Sequence, residues 1–358
     1  MPDSKMTMID YIWETEEVCL SLIEKRKQFV EPLLTAIKQK EITQIYLLGS
    51  GTSCHAGMVL RPFLEEVLNL KVIPMFPLVF LDTENFIDTN SIVIGLSQSG
   101  GSVSTMKALT KANDLGLLTV SVSGEYNKEI DKFAKINLYM DCGVEKAVAK
   151  TKGYTATLVS LALLGLEIAL CRNTISSEKA VQYIERLSKT IQNIPILIKE
   201  SEAWYLKYQA DWEKAERIIV TGYDQQIGTM LEGSLKLLET VRVAVSGYEM
   251  EEFMHGVYNA IKENTRLIML TPHGQYQERA LKLADYMRKS TQYCYCIDKK
   301  SRNDHDLALT LIDDEFFNVI EYIIPFQVLS YRVSISKGIN PNQPSDPEFH
   351  KNMGSKIL

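Results

Sequence analysis

Over the first forty positions apolar residues recur every three or four places, at Ile9, Ile12, Trp13, Cys19, Leu20 and Ile23, with charges between them. That spacing predicts a leading amphipathic helix. Residues 42–48 then form a β-rich run ending in Gly49-Ser50-Gly51-Thr52-Ser53, followed by a helical stretch at 54–68. Short apolar runs at 71–76, 91–96, 117–122 and 136–140 predict further strands, with a crossover helix at 104–115. The stretch 158–170 reads as a buried helix, and the polar, helix-rich segment 174–216 as a connecting helical pair broken at Pro195. The order then restarts with a strand at 217–221, a turn at Gly222-Tyr223-Asp224 and a helix at 225–240. Strands at 266–270 and 293–297 and a long helix at 316–337 follow. Strands alternating with helices predict an α/β fold of doubly wound, mostly parallel sheets flanked by helices, which bind ligands beyond the carboxyl ends of their strands.

At 358 residues the chain is too long for one ordinary core, so the restart predicts two tandem domains, residues 1–175 and 176–358. Hydrophobic residues at 46% and charged residues at 23% fit a soluble globular chain. No apolar run approaches the roughly 20 residues that span a bilayer, because Ser160, Gly165 and Glu167 interrupt the longest one. The polar start Met1-Pro-Asp-Ser-Lys lacks a secretory pattern, and the expectation is a cytoplasmic protein that needs no membrane. The six cysteines are scattered, and Cys294 and Cys296 lack Cys-x-x-Cys spacing, so they read as structural thiols with no metal site. A net charge of −6 argues against nucleic acid as a partner and leaves room for a local anion site.

Two loops have the composition of such a site. Ser97-Gln98-Ser99-Gly100-Gly101-Ser102 sets hydroxyls, an amide and glycines at a strand-to-helix junction, where backbone N–H groups and the helix dipole favour an anion. The same residues also suit an ordinary N-cap and turn. Gly49-Ser50-Gly51-Thr52-Ser53 should face the same side of the sheet from a neighbouring strand. It is neither a Walker loop nor a complete dinucleotide fingerprint. On the helix 225–240, Glu232, Lys236 and Glu239 fall at i, i+4 and i+7 and share one face. This is a solvated stripe or, given the intervening Leu231, Leu235 and Leu238, a polar group set on a packed helix. His255 alone would read as a surface or interface residue.

In order and spacing, Gly51-Thr52-Ser53, Ser97-Gln98-Ser99-Gly100, the run from Glu145 through Lys152, Leu231 through Glu239, and His255-Gly256 resemble tandem SIS (sugar isomerase) proteins over nearly the whole chain. The likeness is to the isomerase half of glucosamine-6-phosphate synthase and to standalone fructosamine-type 6-phosphate deglycases. The resemblance implies that the Gly51-Thr52-Ser53 loop, Ser97, Gln98, Ser99 and Ser102 contact a sugar phosphate while backbone around Val148 closes over the sugar. It implies Glu239 as catalytic base, Glu232 and Lys236 as its polar neighbours, and His255 as a ring-opening or general-acid histidine reaching in from a partner subunit. The separation of Glu239 and His255, 255 − 239 = 16, is the family's. Gly101 and Ser102 replace the family's Glu-Thr, and Lys150 stands where the synthase has serine, a cation that would suit an extra substrate carboxylate. The tail lacks the synthase's Schiff-base lysine pattern, and Lys351 and Lys356 are its possible stand-ins.

Moving a proton between adjacent sugar carbons needs a carboxylate in reach of both and a donor that steadies the oxygen, with no metal or organic cofactor. The leading expectation is a deglycase that isomerises a 6-phosphofructosyl-amine and hydrolyses it to a hexose 6-phosphate and a free amine. The absence of a glutaminase segment from the sequence and the altered tail motivate it. An aldose–ketose isomerase or aminosugar-phosphate deaminase would use the same groups, and a non-catalytic sugar-phosphate sensor would keep only the anion site. A histidine supplied by a partner implies a homodimer or higher homo-oligomer with shared active sites.

Overall fold

The apolar runs become two five-stranded parallel sheets in the computed structural model, which describes residues 6–357. Helix α1 (Met8–Ile37) leads into β1 (Gln44–Leu48), α2 (Thr52–Leu68), β2 (Lys71–Met75), α3 (Pro77–Asp82), β3 (Ser91–Leu96), α4 (Val103–Asp114), β4 (Leu118–Ser123), β5 (Ile136–Tyr139) and α5 (Lys152–Cys171). The connecting helices are α6 (Ser177–Gln192), α7 (Ile194–Lys207) and α8 (Gln209–Glu213), with Pro195 in the first turn of α7, where its missing N–H costs nothing. Then come β6 (Arg217–Gly222), α9 (Gln226–Val241), β7 (Ala244–Glu249), α10 (Met250–Met254), β8 (Arg266–Leu270), α11 (Gln277–Met287), β9 (Cys294–Asp298), β10 (Leu307–Ala308), α12 (Asn318–Ser336) and α13 (Phe349–Met353).

The first sheet runs β2-β1-β3-β4-β5 and the second β10-β9-β8-β6-β7. In each, the first strand lies between the second and the third, so each sheet has a switch point where successive crossovers leave in opposite directions, at β1/β3 and at β6/β8. Strands β3, β8 and β9 are buried along their whole length, as parallel strands covered on both faces should be. The chain divides into two compact units. One holds Glu17–Glu145, Lys152–Ser188 and the tail from Ser345, around a core that includes Tyr46, Leu48, Val93 and Leu109. The other holds the N-terminal stretch to Glu16, Lys146–Thr151 and Lys189–Pro344, around Ile219, Leu267, Met269 and Ala284.

One expectation needs correcting. Helix α5 is 20 residues long and, by length and composition, apolar enough to cross a membrane, because Ser160, Gly165 and Glu167 do not interrupt it. Its most apolar window is 89% buried, which makes it a core helix. Gly165 allows close packing on α2, since a Cβ there would come within 2.5 Å of Leu64 Cδ2, and Glu167 Oε1 accepts a bond from Arg26 Nε at 3.0 Å. All six cysteines are free thiols, and burial raises Cys54 to about 12 and Cys142 to about 11, which leaves them unreactive at neutral pH. Strands β7 and β10 and helices α3, α10, α11 and α13 had no counterpart in the sequence pattern.

Helix α9 packs on α12 through Gly233, where a Cβ would lie 2.6 Å from Cγ of the fully buried Phe326 ring. A rigid ring cannot yield that distance by rotating a flexible end. Replacing Gly233 with valine should therefore destabilise the fold by about 1–3 kcal/mol, the usual range for overpacking, read as a lower urea midpoint with unchanged slope. An unchanged midpoint would show that α9 and α12 can separate freely.

Candidate active site

The β1–α2 and β3–α4 loops meet at the first switch point. Ser50 Oγ lies 3.3 Å from Ser104 Oγ, and Ser104 Oγ lies 3.4 Å from Ser102 Oγ, so three hydroxyls from the two loops form one chain. Gly51 takes φ +52°, a left-handed conformation that glycine adopts without strain, and lets the chain turn from β1 into α2. The alternative use of these residues as plain helix caps is not made. Ser102 occupies the N-cap of α4 without bonding a helix N–H, and its Oγ instead accepts from Thr105 Oγ1 at 2.9 Å. Gly51 at the N-cap of α2 brings no side-chain cap either.

Ser97 is buried, Ser99 exposed, and Thr52, Ser53, Gln98 and Ser102 half-buried. Gly124 N donates to the Gln98 carbonyl at 2.9 Å, and a Cβ on Gly153 would come 3.2 Å from Gln98 Cδ, so the Gln98 side chain is held against two glycines. Three backbone N–H groups are already engaged, Gly100 with Ser97 O at 2.8 Å, Ser102 with Ser97 Oγ at 3.4 Å and Val103 with Ser355 O at 3.3 Å. The last of these bonds belongs to a pairing in which the tail lies antiparallel against the loop. Ser102 bridges Lys356, and Ile357 N donates to Gly101 O at 2.9 Å. A Cβ at Gly101 would run into the Ile357 carbonyl, which explains why glycine stands where the family pattern has glutamate. Of the two tail lysines, Lys356 thus lies beside the hydroxyl loop, while Lys351 pairs with Glu348 at 3.2 Å on the surface. Ser104 and Ser50 were not among the residues singled out as ligands. The signal was the repeat Ser102-Val103-Ser104 across the start of a helix, which sets two hydroxyls toward the same loop.

In the β6–β10 unit the stripe on α9 is a buried ion triad. Lys236 Nζ lies 3.3 Å from Glu232 Oε1 and 2.8 Å from Glu239 Oε2. Exposure sorts the members. Lys236 is 1% and Glu232 0% exposed, whereas the Glu239 side chain is 31% exposed, so the base candidate is the one member that meets solvent. Burial alone would push Lys236 below the ordinary lysine value, but the charges of Glu232 and Glu239 outweigh it and hold the ammonium well above that value. The helix is packed as expected, though by other residues than the leucines named. Leu237 is fully buried, Leu231 and Leu235 are half-buried, and Leu238 is exposed. A solvated stripe is therefore excluded at Glu232 and Lys236.

His255 sits exposed at the C-terminal end of α10. Among the described residues, no hydrogen bond or ion pair joins it to Glu239. Its neighbour Glu251 pairs with Arg279, and that bond together with the charges of Arg279 and His255 lowers the Glu251 carboxyl. Val148 is 39% exposed, and Lys150 Nζ donates to the Ala147 carbonyl at 2.9 Å, which ties its cation into the same short loop.

Comparison with known proteins identifies the fold family. A model of the SIS domain matches residues 37–166 and 212–312. A candidate phosphosugar isomerase of Clostridium difficile 630, known from its crystal structure, is 34% identical, with a TM-score of 0.92 over 99% of both chains. A candidate sugar-binding protein of Salmonella typhimurium LT2 is also 34% identical, with a TM-score of 0.80 over 90% of this chain and 98% of that one. The glutamine–fructose-6-phosphate aminotransferase of Caldanaerobacter subterraneus subsp. tengcongensis is 26% identical over 314 residues, 85% of this chain and 51% of that protein. The chain thus spans about half the length of the curated relatives it matches.

The triad makes a stability prediction that does not depend on catalysis. Lys236→Met removes the cation beside the buried Glu232 carboxylate and should cost about 3–5 kcal/mol in chemical denaturation, while Lys236→Met with Glu232→Gln should recover much of that loss. Equal losses in the single and double variants would show that Lys236 contributes by packing alone.

Proposed function

The chain belongs to the SIS domain family, matched in both halves, and we propose that it is a phosphosugar enzyme whose loops at β1/β3 anchor a sugar phosphate and whose Glu239 moves a proton between C1 and C2. The observation that carries the reading is the triad. A lysine and a glutamate buried to within 1% are costly to desolvate, and they hold Glu239, the member left open to solvent, in one orientation. A carboxylate fixed in that way can reach two adjacent carbons, and the neighbouring ammonium can stabilise negative charge developing on the substrate oxygen. The hydroxyl loops supply binding energy remote from the reacting carbons.

The substrate reading is a 6-phosphofructosyl-amine. Glu239 removes a proton from C1 to give an enaminol, and a proton returned to C2 leaves an aldosylamine or its imine. Water then cleaves the C1–N bond, and hexose 6-phosphate and the free amine depart. One feature of this chain favours an amine adduct over a plain ketose phosphate. Lys150 offers a cation suited to a carboxylate on the amine. His255 is assigned the ring-opening step, and because it stands exposed on a single chain we place it in a homo-oligomer with shared sites. The compartment that suits this chemistry is the cytoplasm, where sugar phosphates are held.

Incubation with 6-phosphofructosyl-lysine should release hexose 6-phosphate, and Glu239→Gln should lower kcat about 10²–10⁴-fold, the usual contribution of a general base, with a smaller change in KM. Fructose 6-phosphate and ammonia from glucosamine 6-phosphate would instead make it a deaminase. Ligand binding without turnover of any sugar phosphate would make it a sensor. Mixing inactive Glu239→Gln and His255→Ala proteins should restore part of the activity, and failure despite proven subunit exchange would place both groups of each site in one chain.

A further inference from the structure

The last described residues of the chain return to the β3–α4 loop, within the same compact unit. Helix α13 ends at Gly354, whose φ of +58° turns the chain back. Ser355 N closes that turn by donating to the His350 carbonyl at 3.1 Å, and His350 Nδ1 lies 2.8 Å from Ser355 Oγ. Residues 355–357 then run antiparallel to 101–103. Val103 N donates to Ser355 O at 3.3 Å, Ile357 N donates to Gly101 O at 2.9 Å, and Lys356 stands opposite Ser102 between these bonds. Gly101 shows that the docking is built into the loop. It does not have the positive φ that calls for glycine, as Gly100 does at +68°. What excludes a side chain at position 101 is the tail, because the Ile357 carbonyl fills the place of a Cβ.

Residues directly opposite in an antiparallel pair project their side chains from the same face. Lys356 therefore leaves the pairing on the side of Ser102, whose Oγ belongs to the hydroxyl chain with Ser104 and Ser50. That placement supplies what the two loops lack. Neither 49–53 nor 97–102 contains a lysine or arginine, yet a phosphate monoester carries close to two negative charges at neutral pH. Lys128 packs against Gly100, but its ammonium is bound to Glu125 Oε2 at 2.6 Å. The docked tail takes up one N–H at the start of α4, that of Val103, and brings a cation in exchange. A charge-assisted hydrogen bond is about twice as strong as a neutral one, so the exchange favours a bound dianion.

We propose that Lys356 is a phosphate-binding residue, carried to the hydroxyl loops by the docked segment 355–357. This deepens the reading that the β1/β3 loops anchor a sugar phosphate, and it rests on that reading. Titration calorimetry of the full chain with D-glucitol 6-phosphate, which has no carbonyl to react, in about 0.15 M salt separates the two. The wild type should bind it saturably and should not bind D-glucitol. Lys356→Met should weaken binding about tenfold, Lys356→Arg should retain most of the affinity, and Lys351→Met, on the surface of the same tail, should leave it unchanged. Gly101→Ala, which displaces the tail, should weaken binding by a similar factor. The double variant Gly101→Ala with Lys356→Met should be no weaker than either single one, because both remove the same interaction. Lys356 is exposed, and an unchanged thermal midpoint checks that its variants are folded. Binding by Lys356→Met as tight as wild type, an equal loss in Lys351→Met, or tighter binding by Gly101→Ala, the mark of a tail that blocks the loop, would overturn the proposal and leave the phosphate anchor standing. A wild type that does not distinguish D-glucitol 6-phosphate from D-glucitol would overturn the anchor and the proposal together.

Discussion

A lysine ammonium between two carboxylates on one helix is the constraint around which the β6–β10 unit is organised. Taking Glu232 and Lys236 out of water costs several kcal/mol for each ion, and a buried pair seldom returns more than that in stability. A packed apolar helix could have filled the same space at less risk. The triad is therefore better understood by what it does to Glu239, whose carboxylate is drawn to Lys236 Nζ at 2.8 Å while its side chain remains a third exposed. The helix that carries it is held close to α12 by Gly233, so the carboxylate is positioned by a rigid element and not by a loop.

Much of this arrangement could be read from the sequence, and the reasons are local. The Val-, Ile- and Leu-rich runs that became β1, β3, β6 and β8 are almost wholly buried, so their apolar signal is continuous and strong. The spacing of Glu232, Lys236 and Glu239 fixed their common face because helical periodicity leaves no other choice. Strand β7, Ala244–Glu249, was not legible because it is an edge strand with a half-buried pattern and a glycine in its middle, where sheet pairing supplies what propensity lacks. Helix α11 was passed over for a related reason. It buries only one face, and the polar residues Gln277, Glu278 and Arg279 open it.

The burial of particular side chains was harder to anticipate than the elements that carry them. Leu238 follows the hydrophobic rule by composition yet is 45% exposed, while charged Lys236 two positions earlier is buried. Side-chain type sets a preference, and partners across the fold decide the outcome. The same holds for Gly101. Its departure from the family pattern follows from the tail, because the segment Ser355–Ile357 occupies the space a side chain would need. Without the pairing of residues some 250 positions apart, that glycine could not be explained from its neighbours.

The two switch points show how little of the chemistry is set by topology. Both sheets order their strands alike, and both have a switch point where the crossovers beyond the first and third strands leave in opposite directions. At one, glycines and serines bring hydroxyls and backbone dipoles together, which suits an anion. At the other, Asp224, Asp313 and Glu315 make the same location electronegative, and an aromatic pair takes the place of the glycine-rich turn. A fold duplicated within one chain need not keep two copies of one function, because the loops beyond the strand ends are free to change sign while the buried strands that support them are not. The polarity of each switch point is therefore a property of about half a dozen loop residues, and it is there, not in the sheets, that the specificity of such a chain is decided.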